Sequence, residues 1–254
     1  MQIPAALIAP FFFIIILALN WFGYRTRKRI SRLYPNREIA FGTAEGSLLG
    51  LMALLLAFSF NMAAAKHEGR RQFIIEEANA ISSAILRSGL LPDSSKQAFL
   101  PHFKQYVEAR INYYDAGENP EKIKTALDDA ELHLKSIWNQ TEILSKNPDN
   151  RTRADQMATL VTSMKNIATT REAARVEPVP ALIILVLLAL VFVSSFVIGF
   201  STKPGHRNVF LSIAFALMTT IVLYLIMELS RPTRGYINLQ NAEQKMVDLR
   251  KMFK

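Results

Sequence analysis

Apolar positions along the chain gather into four uninterrupted blocks, and between the second and third the pattern changes to helical stripes with polar faces. The first block, Ile3 to Phe22, contains no charge and ends at Trp21 and Tyr24, residue types that favour the membrane interface. The second runs from about Gly46 to Ala65, the third from Ala181 to Phe200 behind Pro178 and Pro180, and the fourth from Val209 to Met227. At a rise of 1.5 Å per residue, about 20 residues cross roughly 30 Å of hydrocarbon, so each block predicts a transmembrane helix. A cleaved signal peptide needs basic residues before its apolar run; here they follow it, so the first block reads as a retained span.

The intervening residues 66–177 read as helices throughout. Phe73, Ile74, Ala78, Ile81 and Ile85 fall largely on one face, a stalk continuing span two until Gly89 and Pro92 end it. Phe99, Phe103, Tyr106, Val107, Arg110 and Tyr114 form the next stripe, closed by Gly117. Asn119-Pro120 predicts an N-cap followed by proline in the first turn. Ile123, Leu127, Ala130, Leu134, Ile137, Thr141 and Leu144 then make a heptad-like seam that Asn147-Pro148 breaks. Met157, Leu160, Met164, Ile167 and Arg171 mark a last helix leading into span three. The expected fold is an all-α membrane protein: four transmembrane helices in two pairs, with a helical bundle inserted between the second and third. Its segments are 1–65, with a basic loop at 23–45, then 66–177, 178–229 and a tail at 230–254.

Half of the 254 residues are apolar, and the formal net charge is +9. Much of that excess is Arg25, Arg27, Lys28, Arg29, Arg32 and Arg37, directly behind span one. There it acts as a topology signal, and no nucleic-acid-reading motif accompanies it. Lys203 and Arg207 lie in the loop between spans three and four, an even number of crossings away. The positive-inside rule therefore puts both short loops in the cytoplasm and the helical domain and termini outside. Lys66, Arg70, Arg71, Arg171, Arg175, Arg231 and Arg234 flank the spans on the other side and oppose that assignment. The expected location is a cell membrane, crossed several times, bacterial inner membrane by kind.

Little in the chain suggests catalysis. With no cysteine, disulfides and thiolate chemistry are excluded. His67, His102, His133 and His206 are scattered and predict no metal site. Glu76-Glu77 and Asp128-Asp129 are neighbours in sequence, which on a helix diverge by about 100°, so both read as solvated faces. Ser194-Ser195 and Thr219-Thr220 inside the spans are expected to bond their own helix backbone. No enzyme activity and no cofactor are predicted.

Span two carries the clearest functional pattern. Gly46, Gly50, Ala53, Ala57, Asn61 and Ala64 recur every three or four residues and form a face of small side chains with one amide. Leu48, Leu51, Leu55, Phe58 and Met62 make the bulky side. Small faces let helices pack closely within lipid. The other reading is a pore-lining helix, in which Asn61 and Ser59 offer polar contacts or Leu51, Leu55 and Phe58 form a hydrophobic constriction. Glu228, at the end of span four near Arg231, reads as an interface carboxylate paired with a cation; ion binding or gating is its alternative role.

Several strings carry a family likeness: Leu48-Leu-Gly-Leu-Met-Ala-Leu-Leu-Leu-Ala-Phe-Ser-Phe60 in span two, Arg70-Arg71 and Glu76-Glu-Ala-Asn-Ala-Ile81 in the stalk, Leu90-Leu-Pro92 after it, and Arg231-Pro232 with Gly235 after span four. Over nearly its whole length the chain resembles a family of bacterial integral membrane proteins with a bestrophin-like domain of unknown function. That resemblance extends distantly to the bestrophins, pentameric ion channels whose second span lines a narrow hydrophobic neck. It implies a homo-oligomer in the lipid bilayer, pentameric if bestrophin-like, with small ions as partners and Leu51, Leu55 and Phe58 as candidates for the neck. The acidic calcium-binding cluster of the animal channels has no counterpart after Arg231. The bestrophin arrangement also implies a cytoplasmic helical domain, opposite to the side the loop charges favour. A sensor or interaction module, using the seam of 123–144 to bind a partner, is the second functional expectation.

Overall fold

The computed structural model describes residues 5–35, 43–176, 180–205, 208–230 and 239–253. Among these the regular structure is helical: α1 (Ala5–Leu33), α2 (Thr43–Ser88), α3 (Asp93–Asp115), α4 (Pro120–Ser145), α5 (Arg151–Val176), α6 (Ala181–Ser201), α7 (Val209–Ser230) and α8 (Gln240–Asp248), with short 3₁₀ turns at Pro148–Asn150 and Leu249–Phe253. Four helices, α1, α2, α6 and α7, are long and apolar enough to cross a membrane. The contacts divide the chain into two units, 1–66 with 178–231 and 67–177 with 232–254.

The ends of the helices follow from local chemistry. α2 stops where Gly89 follows, its N–H still donating to the carbonyls of Ile85 and Leu86. Asn119 caps α4: its side-chain oxygen accepts from the backbone N–H groups of Glu121 and Lys122, each at 3.1 Å, ahead of Pro120. Asn147 does the same for Asp149 at 3.0 Å and turns the chain into α5. One boundary differs from expectation. α1 continues past Phe22 to Leu33, so much of the basic stretch is helix. Arg and Lys are good helix formers, and cations near a helix C-terminus oppose the negative end of its dipole.

In the first unit α1 packs against α6 and α7 around Ile16, Leu187, Val191, Ala216 and Ile226. The crossing of α1 with α6 depends on two glycines. A Cβ added to Gly23 would collide with the carbonyl oxygen of Phe196, and one added to Gly199 with that of Asn20. Backbone contact of this kind replaces the burial drive that is absent between helices in lipid. Asn20, itself buried, donates from Nδ2 to the Ser195 carbonyl at 3.4 Å. The hydroxyls do not behave as expected. Of those expected to bond their own helix backbone, the hydroxyls of Ser194, Ser195 and Thr220 are buried without a hydrogen-bond partner, and so is that of Ser59, the candidate polar contact for a pore.

The second unit is a helical bundle with an aromatic core. Phe99, Phe103 and Tyr106 of α3 are fully buried with Ile81, Ile137, Met157 and Met164. Each such side chain stabilises the fold by about 1.5–3 kcal/mol relative to exposure. The seam of α4 is turned inward: Ala130, Ile137 and Leu144 join this core, Thr141 is buried too, and Ile123 packs in a smaller cluster with Tyr113, Ala116 and Ala126. The tail returns to the bundle, where α8 and its 3₁₀ turn add Met246 and Leu249 to the core. Arg250 there holds Glu108 of α3 at 2.6 Å.

Candidate functional site

Two features of these helices carry possible chemistry: the exposed side of α2, and a charge cluster inside the second unit.

Along the apolar half of α2, Met52, Ser59 and Ala63 are buried, and Leu49, Leu55, Leu56, Met62 and Ala64 pack beside them. Gly46, Gly50, Ala53, Ala57 and Asn61 are all exposed. At about 100° per residue they share one arc of roughly 80°. Nothing lies within 4 Å of where a Cβ would sit on Gly46 or Gly50. At these glycines the small face thus packs against none of the described helices. The bulky side divides. Leu55 joins the core, whereas Leu51 and Phe58, at 49% and 60% exposure, flank the small face.

Leu54 and Phe60 of α2 are exposed too, so what sets α2 apart from the other spans is the small face and its amide rather than a lack of bulky apolar side chains. α6 presents Leu182, Leu185 and Val193, and α7 presents Phe210, Leu211 and Met218, all large and apolar. Lipid tails accept such side chains readily. An amide such as Asn61 instead requires a hydrogen-bonding partner or water, because its transfer into hydrocarbon costs several kcal/mol. Glu228, the candidate interface carboxylate, is buried within the first unit rather than displayed at a surface. Arg231, named with it, lies outside the described residues.

The second feature corrects the reading of Glu76-Glu77 as a solvated pair. Glu76 is half-buried and accepts from Gln72 at 3.1 Å. Glu77 is fully buried. Its carboxylate lies 2.5 Å from Nε of Arg110 on α3 and also binds Arg171 of α5. Both arginines are buried as well. The physical reason is helical spacing: Glu77 follows Ile74 by three and precedes Ile81 by four, so it falls on the stripe that packs inward. Arg110 and Arg171 occupy equivalent places on their own apolar stripes, which is the signal that could have located the cluster.

Tyrosines surround the triad. Arg110 and Arg171 lie 4.7 and 5.1 Å from the ring centre of Tyr113, and Arg171 lies 4.8 Å from that of Tyr114. Tyr113 donates its hydroxyl proton to Glu172, which also pairs with Arg175 at 2.9 Å. Burial pushes the Glu172 carboxyl up, but hydrogen bonds from Arg175 and Tyr113 outweigh it and hold it below its ordinary range. Burial pushes the Tyr113 phenol up, and its bond to Glu172 adds to the effect. The carboxyl of Glu243 on α8 is raised by burial despite a hydrogen bond from Tyr114.

The histidines are less scattered than their spacing suggests, since the rings of His102 and His133 approach to 6.1 Å across α3 and α4. Among the described residues, no group of three or more His, Cys, Asp or Glu side chains is placed to hold a metal ion.

Comparison with known proteins gives a consistent picture. The Bestrophin-like domain matches residues 11–243. No curated protein sequence matches the chain. Among solved structures, crystal structures of a bacterial bestrophin homologue from Klebsiella pneumoniae are similar along almost the whole chain. One variant has a TM-score of 0.72 at 13% identity, covering 94% of this chain and 99% of that one. Another has a TM-score of 0.70 at 14% identity, covering 100% and 99%. At this identity the likeness establishes a shared fold.

Proposed function

The chain belongs to the Bestrophin-like family, and from that premise we propose that it is a homo-oligomeric ion pore whose α2 helices surround the central axis. The single observation that carries the reading is the open face of α2. Asn61 and the glycines and alanines in register with it are exposed, while the exposed faces of α6 and α7 are bulky and apolar. A face of that composition suits the neighbourhood of other copies and of water. Leu51 and Phe58 at its edge supply the hydrophobic constriction, and Gly46, Gly50, Ala57 and Asn61 the close approach and the polar contact. Leu55 supports the constriction from behind.

In this reading the spans form two pairs with the bundle inserted between them, and the assembly has five copies if it follows the bestrophins. The protein is a channel and not an enzyme, and it resides in the bacterial inner membrane. The loop charges put the second unit outside, the bestrophin arrangement puts it in the cytoplasm, and reporter fusions at residues 30 and 120 decide between them. The alternative as an interaction module loses its motivating feature, because the α4 seam is used inside its own bundle.

The chain has no cysteine of its own, so single substitutions test the pore directly. Protein carrying Asn61→Cys, reconstituted in vesicles under an ion gradient, should conduct and be blocked by a water-borne thiol reagent. Phe210→Cys should conduct and resist the reagent. Absence of conductance under any gradient, or block at residue 210 and not at 61, would sink the proposal.

A further inference from the structure

Beside the Glu77 triad lies a cavity of about 40 Å³, lined by Arg70, Arg171, Arg175, Tyr113, Tyr114 and apolar neighbours that include Ile74. A water needs roughly 10–15 Å³ measured in this way, so the space suits a few waters or one small ion. Arg70, Arg171 and Arg175 are among its lining residues, and a guanidinium offers N–H donors and no acceptor.

Charge in the triad is unequal. Glu77 is one carboxylate shared by Arg110 and Arg171, and all three side chains are buried. The triad by itself therefore carries a net positive charge away from water, and the carboxyl beside it, Glu243 near Tyr114 and Arg171, is held back from ionising by its own burial. Glu172 is committed to Arg175 and Tyr113. The ring of Tyr114 lies under Arg171, and that of Tyr113 lies 5.7 Å from Arg175. Stacking of this kind holds the planar donor forks in place before any ligand arrives.

We propose that this Arg70–Arg171–Arg175 cavity binds a small monovalent anion, either a halide or a carboxylate group. The guanidinium N–H groups supply the charge-assisted hydrogen bonds, and the apolar wall lowers the local dielectric and strengthens them. Its lining residues all belong to the second unit, and the inference does not depend on the pore reading.

Thermal unfolding of the full chain in detergent tests the proposal. Sodium gluconate, whose anion is too large for the cavity, is exchanged at constant ionic strength for chloride, bromide, formate or acetate. The melting temperature should rise and saturate with one or more of these anions, the halide and carboxylate arms telling the two ligand sources apart. Arg70→Gln should raise the half-saturating concentration at least about tenfold. No saturable rise with any of the four, or the same rise in the variant, would overturn the site. Should the variant fail to fold, crystals of the unaltered protein grown in bromide and in formate decide the matter: an anomalous bromide peak or formate density between Arg70 and Arg171 supports the site, and a cavity empty at saturating concentrations of both refutes it.

Discussion

The two halves of α2 meet different surroundings with different residues. Up to Lys66 the helix turns apolar side chains and the Ser59 hydroxyl toward its unit and leaves Gly46, Gly50 and Asn61 uncovered. From His67 onward it turns Ile74, Ala78 and Ile81 inward and, among them, the carboxylate of Glu77. A polar group on the first half is tolerated because it is open to a partner. On the second half it is tolerated because two arginines meet it inside the bundle. Substitutions in the two halves should therefore break different things: folding in one, assembly in the other.

The largest effect is expected at Glu77. Glu77→Gln leaves Arg110 and Arg171 buried without their counter-charge, which costs about 3–5 kcal/mol. Denaturant unfolding should show the second unit losing its cooperative transition. Replacing Glu77, Arg110 and Arg171 together by apolar residues of similar volume should recover most of that loss, since the desolvation cost disappears with the charges. A smaller effect, about 1–3 kcal/mol, is expected from Gly199→Ala, whose methyl meets the Asn20 backbone where α1 crosses α6. Thermal melting of the first unit reports it, and Gly46→Ala, with open space around it, should leave melting nearly unchanged.

The acid limb of stability sharpens the picture further. Glu172 has a folded-state pKa below its ordinary 4.5. Its contribution is present above that value and lost as pH falls through the depressed one, because the unfolded chain then binds the extra proton. Tyr113→Phe removes one of the two partners that hold Glu172 down, so a pH titration of unfolding should show a shallower acid loss. Least affected in folding is Asn61→Leu, an exposed change expected within about 0.5 kcal/mol. That substitution should instead abolish assembly or conductance, read by sizing in detergent and by vesicle flux.

Much of the fold was legible because punctuation residues act locally. Gly89 and Pro92 end α2, and Asn119-Pro120 opens α4, wherever the chain later packs. The spans were equally plain, since about 20 apolar residues announce themselves without tertiary information. What escaped was set by contacts between distant positions. The partners of Glu77 lie 33 and 94 residues away. Only their place on apolar stripes hinted at burial. Helical packing also decided which of Leu51, Leu55 and Phe58 enters the core, and periodicity alone had grouped all three. No element is predicted in the tail from its sequence; Ala242, Met246 and Leu249 are buried there, and the surface on which Met246 and Leu249 dock is made by distant helices of the bundle.

A structure of the purified protein in a lipid nanodisc tests the central claim most directly. The account predicts a ring of copies with Gly50 and Asn61 of every α2 directed at the axis or at the neighbouring copy, and with α6 and α7 against lipid. A single copy, or a ring in which the bulky faces of α6 and α7 meet at the axis while Asn61 lies in the acyl chains, would contradict it.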